Sequence, residues 1–214
     1  MPDAHVAAAR WRARIIQTHA FALVEQEAGQ QAGDCPPVVC LGFPEPAASR
    51  MLDDLAQSFH LIALAPATVP LSASEKLDAH AFAREALACA DRLSLARFSV
   101  LARGDDNHAA LCLALIAPQR VAGMALIAPD LHSRDGAAQD AQLMEKLAQV
   151  RAPVLAMFGA LDRLANPHLW RERLPACHVV FFANAGSQPD RERPHALARA
   201  AGAFLRTPGL RGSI

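Results

Sequence analysis

From residue 36 onward, short apolar runs alternate with longer stretches in which apolar positions recur at helical spacing. The runs at 38–41, 61–64, 98–102, 121–128, 154–158 and 179–182 predict strands. The stretches at 47–58, 77–93, 107–117, 139–149, 167–173 and 194–205 predict helices between and after them. Strands that alternate with helices build a mostly parallel sheet, and two of the runs are almost wholly apolar, as strands are when helices cover both faces. The expected class is therefore α/β, a three-layer αβα sandwich. Segment 15–27, ahead of a turn region at 29–34, is more mixed and fits either an antiparallel edge hairpin or a helix. Pro208, Gly209 and Gly212 predict a loose tail.

Turn-forming residues cluster at 44–46, 66–74, 129–136 and 183–194, mostly just after strands. In an open parallel sheet ligands bind at the carboxyl ends of strands, so these loops are where a site is expected.

Composition narrows the picture. A chain of 214 residues, 52% hydrophobic and 20% charged, suits one domain spanning 1–214 with its core at about 36–205. Lys+Arg 21 against Asp+Glu 21 leaves no charge surplus for nucleic acid or an anionic membrane, and the absence of Tyr disfavours base stacking. A small-molecule ligand or a protein partner is expected instead. Cys35, Cys40, Cys89, Cys112 and Cys177 form no CxxC pair and read as buried, reduced thiols, which points to a cytoplasmic protein. Residues 1–14 hold no continuous apolar stretch of the signal-peptide kind, and no later run reaches the roughly 18 apolar residues of a membrane helix.

Four segments, in order, carry a resemblance. Pro36-Pro37-Val38-Val39-Cys40-Leu41-Gly42-Phe43-Pro44 resembles a strand ending in HGFP. Phe98-Ser99-Val100-Leu101-Ala102-Arg103-Gly104-Asp105-Asp106-Asn107, continuing to Pro118-Gln119-Arg120-Val121, resembles a nucleophile-elbow strand and helix followed by PERV. Pro153-Val154-Leu155-Ala156-Met157-Phe158-Gly159-Ala160-Leu161-Asp162 resembles an acid-bearing strand end, and Ala185-Gly186-Ser187 through Glu192-Arg193-Pro194 resembles an AGH-to-ERP segment. Together they resemble the α/β-hydrolase family over most of 36–205. The interval between 128 and 154, where that family often inserts a lid, is too short for a large one.

The resemblance also implies lost chemistry. The family's GxSxG falls on Ala102-Arg103-Gly104-Asp105-Asp106, which puts Gly104 at the nucleophile position and Ser187 at the base position. Of the three catalytic positions only the acid, Asp162, keeps its residue type, and Leu41 stands where the first loop has histidine. The implied oxyanion donors are the backbone N–H groups of Phe43 and Asp105. The carboxylates of Asp105 and Asp106 would oppose an oxyanion there.

The reading that follows is a pseudoenzyme binding a small ligand or protein partner through Gly42, Phe43, Arg103, Gly104 and Ser187, with Asp162 and Asp105 as vestigial catalytic positions. The alternative is a non-standard esterase or thioesterase acting on a small acyl substrate through a rearranged site, with Asp105, Asp162 and a displaced histidine. No cofactor is expected. Asp105, Asp106, Asp130 and Asp162 could gather as oxygen ligands, but their spacing singles out no metal, and Arg103 and Arg163 could equally pair with them.

Each residue also has a structural reading. Asp105, Asp106 and Asn107 suit the amino end of a helix as caps, with Gly104 easing the turn before them. Asp162 suits the cap of a following helix or turn, His108 points to the site or to solvent, and His195 opens a helix beyond the family's base position. Arg163, Arg171, Arg173, Arg191 and Arg193 suit solvated faces balanced by Glu172, Asp190 and Glu192.

Overall fold

The computed structural model describes residues 9–17, 22–30, 35–66, 78–130, 137–163 and 165–207. Its centre is an eight-stranded sheet in the order β1-β2-β4-β3-β5-β6-β7-β8. Six strands run parallel: β3 (Val38–Leu41), β4 (Leu61–Pro66), β5 (Phe98–Arg103), β6 (Val121–Ile127), β7 (Val154–Gly159) and β8 (Cys177–Phe182). These follow the apolar runs to within two residues: β3 matches, β4, β5, β7 and β8 run one or two residues longer, and β6 stops one residue short at Ile127. The ambiguous segment is an antiparallel pair, β1 (Arg12–Gln17) and β2 (Ala22–Ala28), with Ile15 opposite Val24, and β2 adds antiparallel to β4.

That segment reads ambiguously because a charged residue holds an inward position. Glu25 is fully buried beneath the helix that carries Cys89. Arg14 approaches its carboxylate at 2.6 Å and the Cys89 thiol donates to it at 3.4 Å. Burial raises the Glu25 carboxyl above its ordinary value, a hydrogen bond with Glu27 adds to this, and Arg14 and Cys89 oppose it.

Helices cover both faces. On one side lie α2 (Ala79–Arg92), α3 (Asp106–Ile116) and α5 (Pro167–Arg173), burying Phe82, Leu111 and Trp170 against the sheet. On the other lie α1 (Arg50–Ala56) and α7 (Pro194–Arg206), burying Met51, Leu52, Leu197 and Phe204. Between them in chain order come α4 (Ala137–Lys146), which runs on into a 3-10 turn at Leu147–Gln149, and the short α6 (Pro189–Glu192). The layers are those expected. The sequence reading has one helix at 47–58; instead a 3-10 turn at Pro46–Ala48 is separated from α1 by extended Ser49, whose side chain accepts from Leu52 N–H. A second departure is α6, which forms inside the expected 183–194 loop because Pro189 starts a turn there.

The expected loop positions 67–74 and 131–136 and the tail from 208 lie outside the described residues. Among those described, no helix is long and apolar enough to cross a membrane.

Register fixes which loops share an edge. Leu41 pairs with Ala102, Arg103 with Ile127, Ile127 with Met157, and Gly159 with Phe182. The chain therefore leaves the sheet at Gly42, Gly104, Ala128, Ala160 and Ala183 along a single rim.

Candidate functional site

The sharpest turn on that rim follows β5. Gly104 has φ +61°, in the left-handed region, and α3 begins two residues later. Its carbonyl accepts from the Asn107 backbone N–H at 3.2 Å and from Asn107 Nδ2 at 2.7 Å. The same Nδ2 donates to the Ile127 carbonyl at 3.1 Å, so buried Asn107 ties the turn to the end of β6. A Cβ built on Gly104 would meet nothing within 4 Å: the missing side chain faces open space.

This corrects the capping expectation. Asp105 already has helical dihedrals, φ −64° and ψ −24°, and makes no side-chain cap hydrogen bond, because caps require extended backbone at that position. Asn107 acts as a donor to carbonyls rather than as an acceptor from N–H groups.

Beside the turn, Gly42 has φ +85°, and a Cβ there would lie 2.5 Å from the Arg103 carbonyl oxygen. Only glycine lets the loop after β3 pass this close to β5. The next residue, Phe43, is buried, and the Arg103 guanidinium lies 5.1 Å from its ring centroid. Arg103 Nη1 donates to Asp190 Oδ2 at 2.7 Å. Asp190 is only 6% exposed, so the expectation that it balances surface arginines is corrected: α6 turns it inward onto Arg103. Asp106 is mostly buried, and its carboxyl is pushed up to about 6 by that burial and by the neighbouring Asp105 charge, with Arg103 pulling the other way.

The loops that carry the remaining two expected positions, Asp162 and Ser187, are tied together at the far end of the rim. Leu161 N–H donates to the Ala185 carbonyl at 2.8 Å and Ala160 N–H to the Phe182 carbonyl at 3.0 Å, joining the loop of Asp162 to the loop of Ser187. Gly159 has no room for a side chain against the carbonyls of Ala185 and Gly186. Ser187 is exposed. Its loop is clasped by Glu192, which accepts from Gly186 N–H at 2.8 Å and Gln188 N–H at 3.3 Å, and so does more than balance a solvated face. Asn166, not Asp162, caps α5, accepting from Leu169 N–H. His195 is engaged elsewhere: its Nδ1 lies 2.6 Å from Asp54 Oδ2 on α1. His108 is buried in α3 rather than solvated.

A cavity of about 580 Å³ opens between residues 43–50 and 190–195, with Phe43 and Arg103 in its wall. This is within the range of small-molecule sites. Among the described residues, no three His, Cys, Asp or Glu side chains converge as metal ligands.

No protein-family model and no curated protein sequence matches the chain. Solved structures do. Naproxen esterase (carboxylesterase NP) from Bacillus subtilis superposes with a TM-score of 0.71 at 16% identity, covering 92% of each chain. An alpha/beta hydrolase fold protein from Chitinophaga pinensis gives 0.72 at 15% identity, over 94% of this chain and 99% of that one. The chain has the α/β-hydrolase fold. A thioesterase domain from the curacin biosynthetic pathway shares it, with a TM-score of 0.70 at 12% identity over 89% of this chain and 98% of the domain. Within the α/β-hydrolase fold, the rim positions of Gly104, Asp162 and Ser187 are those at which the sequence resemblance puts nucleophile, acid and base.

Three residues of this rim take roles the sequence reading did not give them: Asn107, Asp190 and Glu192. Each is polar and near a helix start, where solvent exposure or capping is the ordinary assignment. Pro189 was the one local sign that the 183–194 loop would fold back.

Proposed function

We propose that this chain is a ligand-binding protein on an α/β-hydrolase fold that has lost acyl-transfer catalysis. One observation carries the reading: the elbow residue, Gly104, keeps the left-handed backbone of a nucleophile turn and faces open space, yet has no side chain. Acyl transfer by this fold needs an Oγ, a base to take its proton and a carboxylate to orient that base. Ser187 offers a hydroxyl, which cannot serve as a general base near neutral pH. An oxyanion held by Phe43 and Asp105 N–H groups would also develop beside the Asp105 and Asp106 carboxylates, a repulsive arrangement. The cavity beside Phe43 and Arg103 supports a small molecule as the bound species.

The test is turnover. Purified protein is offered p-nitrophenyl butyrate and a butyryl thioester, then a fluorophosphonate probe. The expected result is no hydrolysis above buffer and no labelled serine. Turnover that disappears in Asp162→Ala or Asp105→Ala would overturn the reading and establish a hydrolase with a rearranged site.

A further inference from the structure

We infer that the cavity beside Phe43 takes a short-chain aliphatic monocarboxylate, held by Arg103. The inference rests on the binding reading above and names the ligand class. Arg103 is the last residue of β5, anchored by a rigid strand, stacked on a buried aromatic ring and ion-paired to buried Asp190. Its side chain keeps 25% exposure, on the cavity wall. Among the described residues, Asp190 is the one acceptor it reaches, through Nη1. A guanidinium has five N–H donors in a planar fork, so several remain to be satisfied, and Phe43 and Asp190 already fix the plane. A pre-set planar fork facing a cavity matches the two oxygens of a carboxylate.

The surroundings choose among anions. Arg50 and Arg191 line the same cavity, but so do Glu45, Asp190 and Glu192. With Arg103 counted, three arginines face three carboxylates, so the wall carries no net positive charge to draw a dianion such as phosphate, and a monocarboxylate is favoured by the directed hydrogen bonds of the guanidinium rather than by bulk charge. Pro44, Ala48 and Pro194 give the rest of the wall apolar surface for a short hydrocarbon tail, with buried Phe43 as the floor beneath Arg103.

The experiment is calorimetric titration of the full chain with hexanoate at pH 7, with hexanamide, inorganic phosphate and the Arg103→Lys variant for comparison. Arg103→Lys keeps the charge facing Asp190 and removes the fork, and its melting temperature reports whether it folds. Expected are saturable hexanoate binding, hexanamide at least tenfold weaker, a tenfold or greater loss in a folded Arg103→Lys, and no displacement by phosphate. Absence of saturation, equal binding of hexanoate and hexanamide, displacement by phosphate, or full affinity in a folded Arg103→Lys would each overturn the inference. If that variant does not fold, the hexanoate-to-hexanamide ratio on the parent chain decides. Hydrolysis of p-nitrophenyl hexanoate, run alongside, would overturn the loss of catalysis instead, and leaves the carboxylate comparison readable.

Discussion

Arg103 and Asp190 meet at 2.7 Å across 87 residues of sequence, joining the end of β5 to the first turn of α6. The two sides of the pair are unequally buried, 25% against 5% side-chain exposure. Removing Arg103 strands a buried carboxylate, whereas removing Asp190 leaves a cation that can rehydrate through the cavity. Arg103→Ala should therefore destabilise by about 3 kcal/mol, more than Asp190→Ala, and the double variant should be no worse than Arg103→Ala alone. Urea unfolding of the three variants checks the order; a larger loss for Asp190→Ala would contradict the burial asymmetry.

Asp106 makes stability depend on pH in an unusual direction. Its folded value of about 6 lies above the ordinary 3.8, so the folded state keeps a proton that the unfolded chain has already released. Stability therefore falls as pH rises from about 4 to about 6 and stays lower above that, by an amount on the order of 3 kcal/mol. Asp106→Asn has no such titration. It should melt several degrees above the parent at pH 8 and close to it at pH 4. A gap that is the same at both pH values would refute the burial of this carboxylate.

The strands and most helices were legible because one signal, apolar periodicity, dictates them: runs such as Val38-Val39-Cys40-Leu41 have no other stable place than a covered sheet. The order of four segments then pointed to the fold, and Gly104, Asp162 and Ser187 fall on the rim. What escaped is what periodicity does not encode. Glu25 is inward-facing and charged, so its strand carries a broken alternation whose repair, by Arg14 and Cys89, comes from elements 11 and 64 positions away in sequence. Asp190 and Glu192 sit in a four-residue helix too short to show a face, and their partners, Arg103 and the Gly186 loop, come together only in the folded chain. The exposed or buried character of a polar residue is settled by such partners.

Thiol reactivity should follow burial. Burial pushes the Cys89 thiol up to about 12 and those of Cys112 and Cys177 up to about 11, and raises Cys40 as well. Cys35 and Cys177 are half-buried, the other three buried. Iodoacetamide at pH 8 is expected to modify Cys35 first and to reach Cys40, Cys89 and Cys112 only in urea. Peptide mapping that finds Cys89 modified in the native protein would show that the α2 face opens.

Restoring catalysis tests whether the rim retains an active geometry. Gly104→Ser places its Cβ in open space, so the steric obstacle is the backbone alone, about 1–2 kcal/mol for a serine held at φ +61°. The hydroxyl then has no base, and Gly104→Ser alone should give no esterase activity. Adding Ser187→His puts an imidazole on the exposed loop that Leu161 N–H ties beside Asp162. The double variant should still be very weak, because Asp105 and Asp106 face the developing oxyanion. Adding Asp105→Met and Asp106→Gly removes both charges, and residue 105 is already helical, so methionine fits. Hydrolysis of p-nitrophenyl acetate by this fourfold variant should rise measurably above the double variant and the parent. If circular dichroism shows the fourfold variant folded and its rate equals that of the parent, the N–H groups of Phe43 and Asp105 do not form an oxyanion hole.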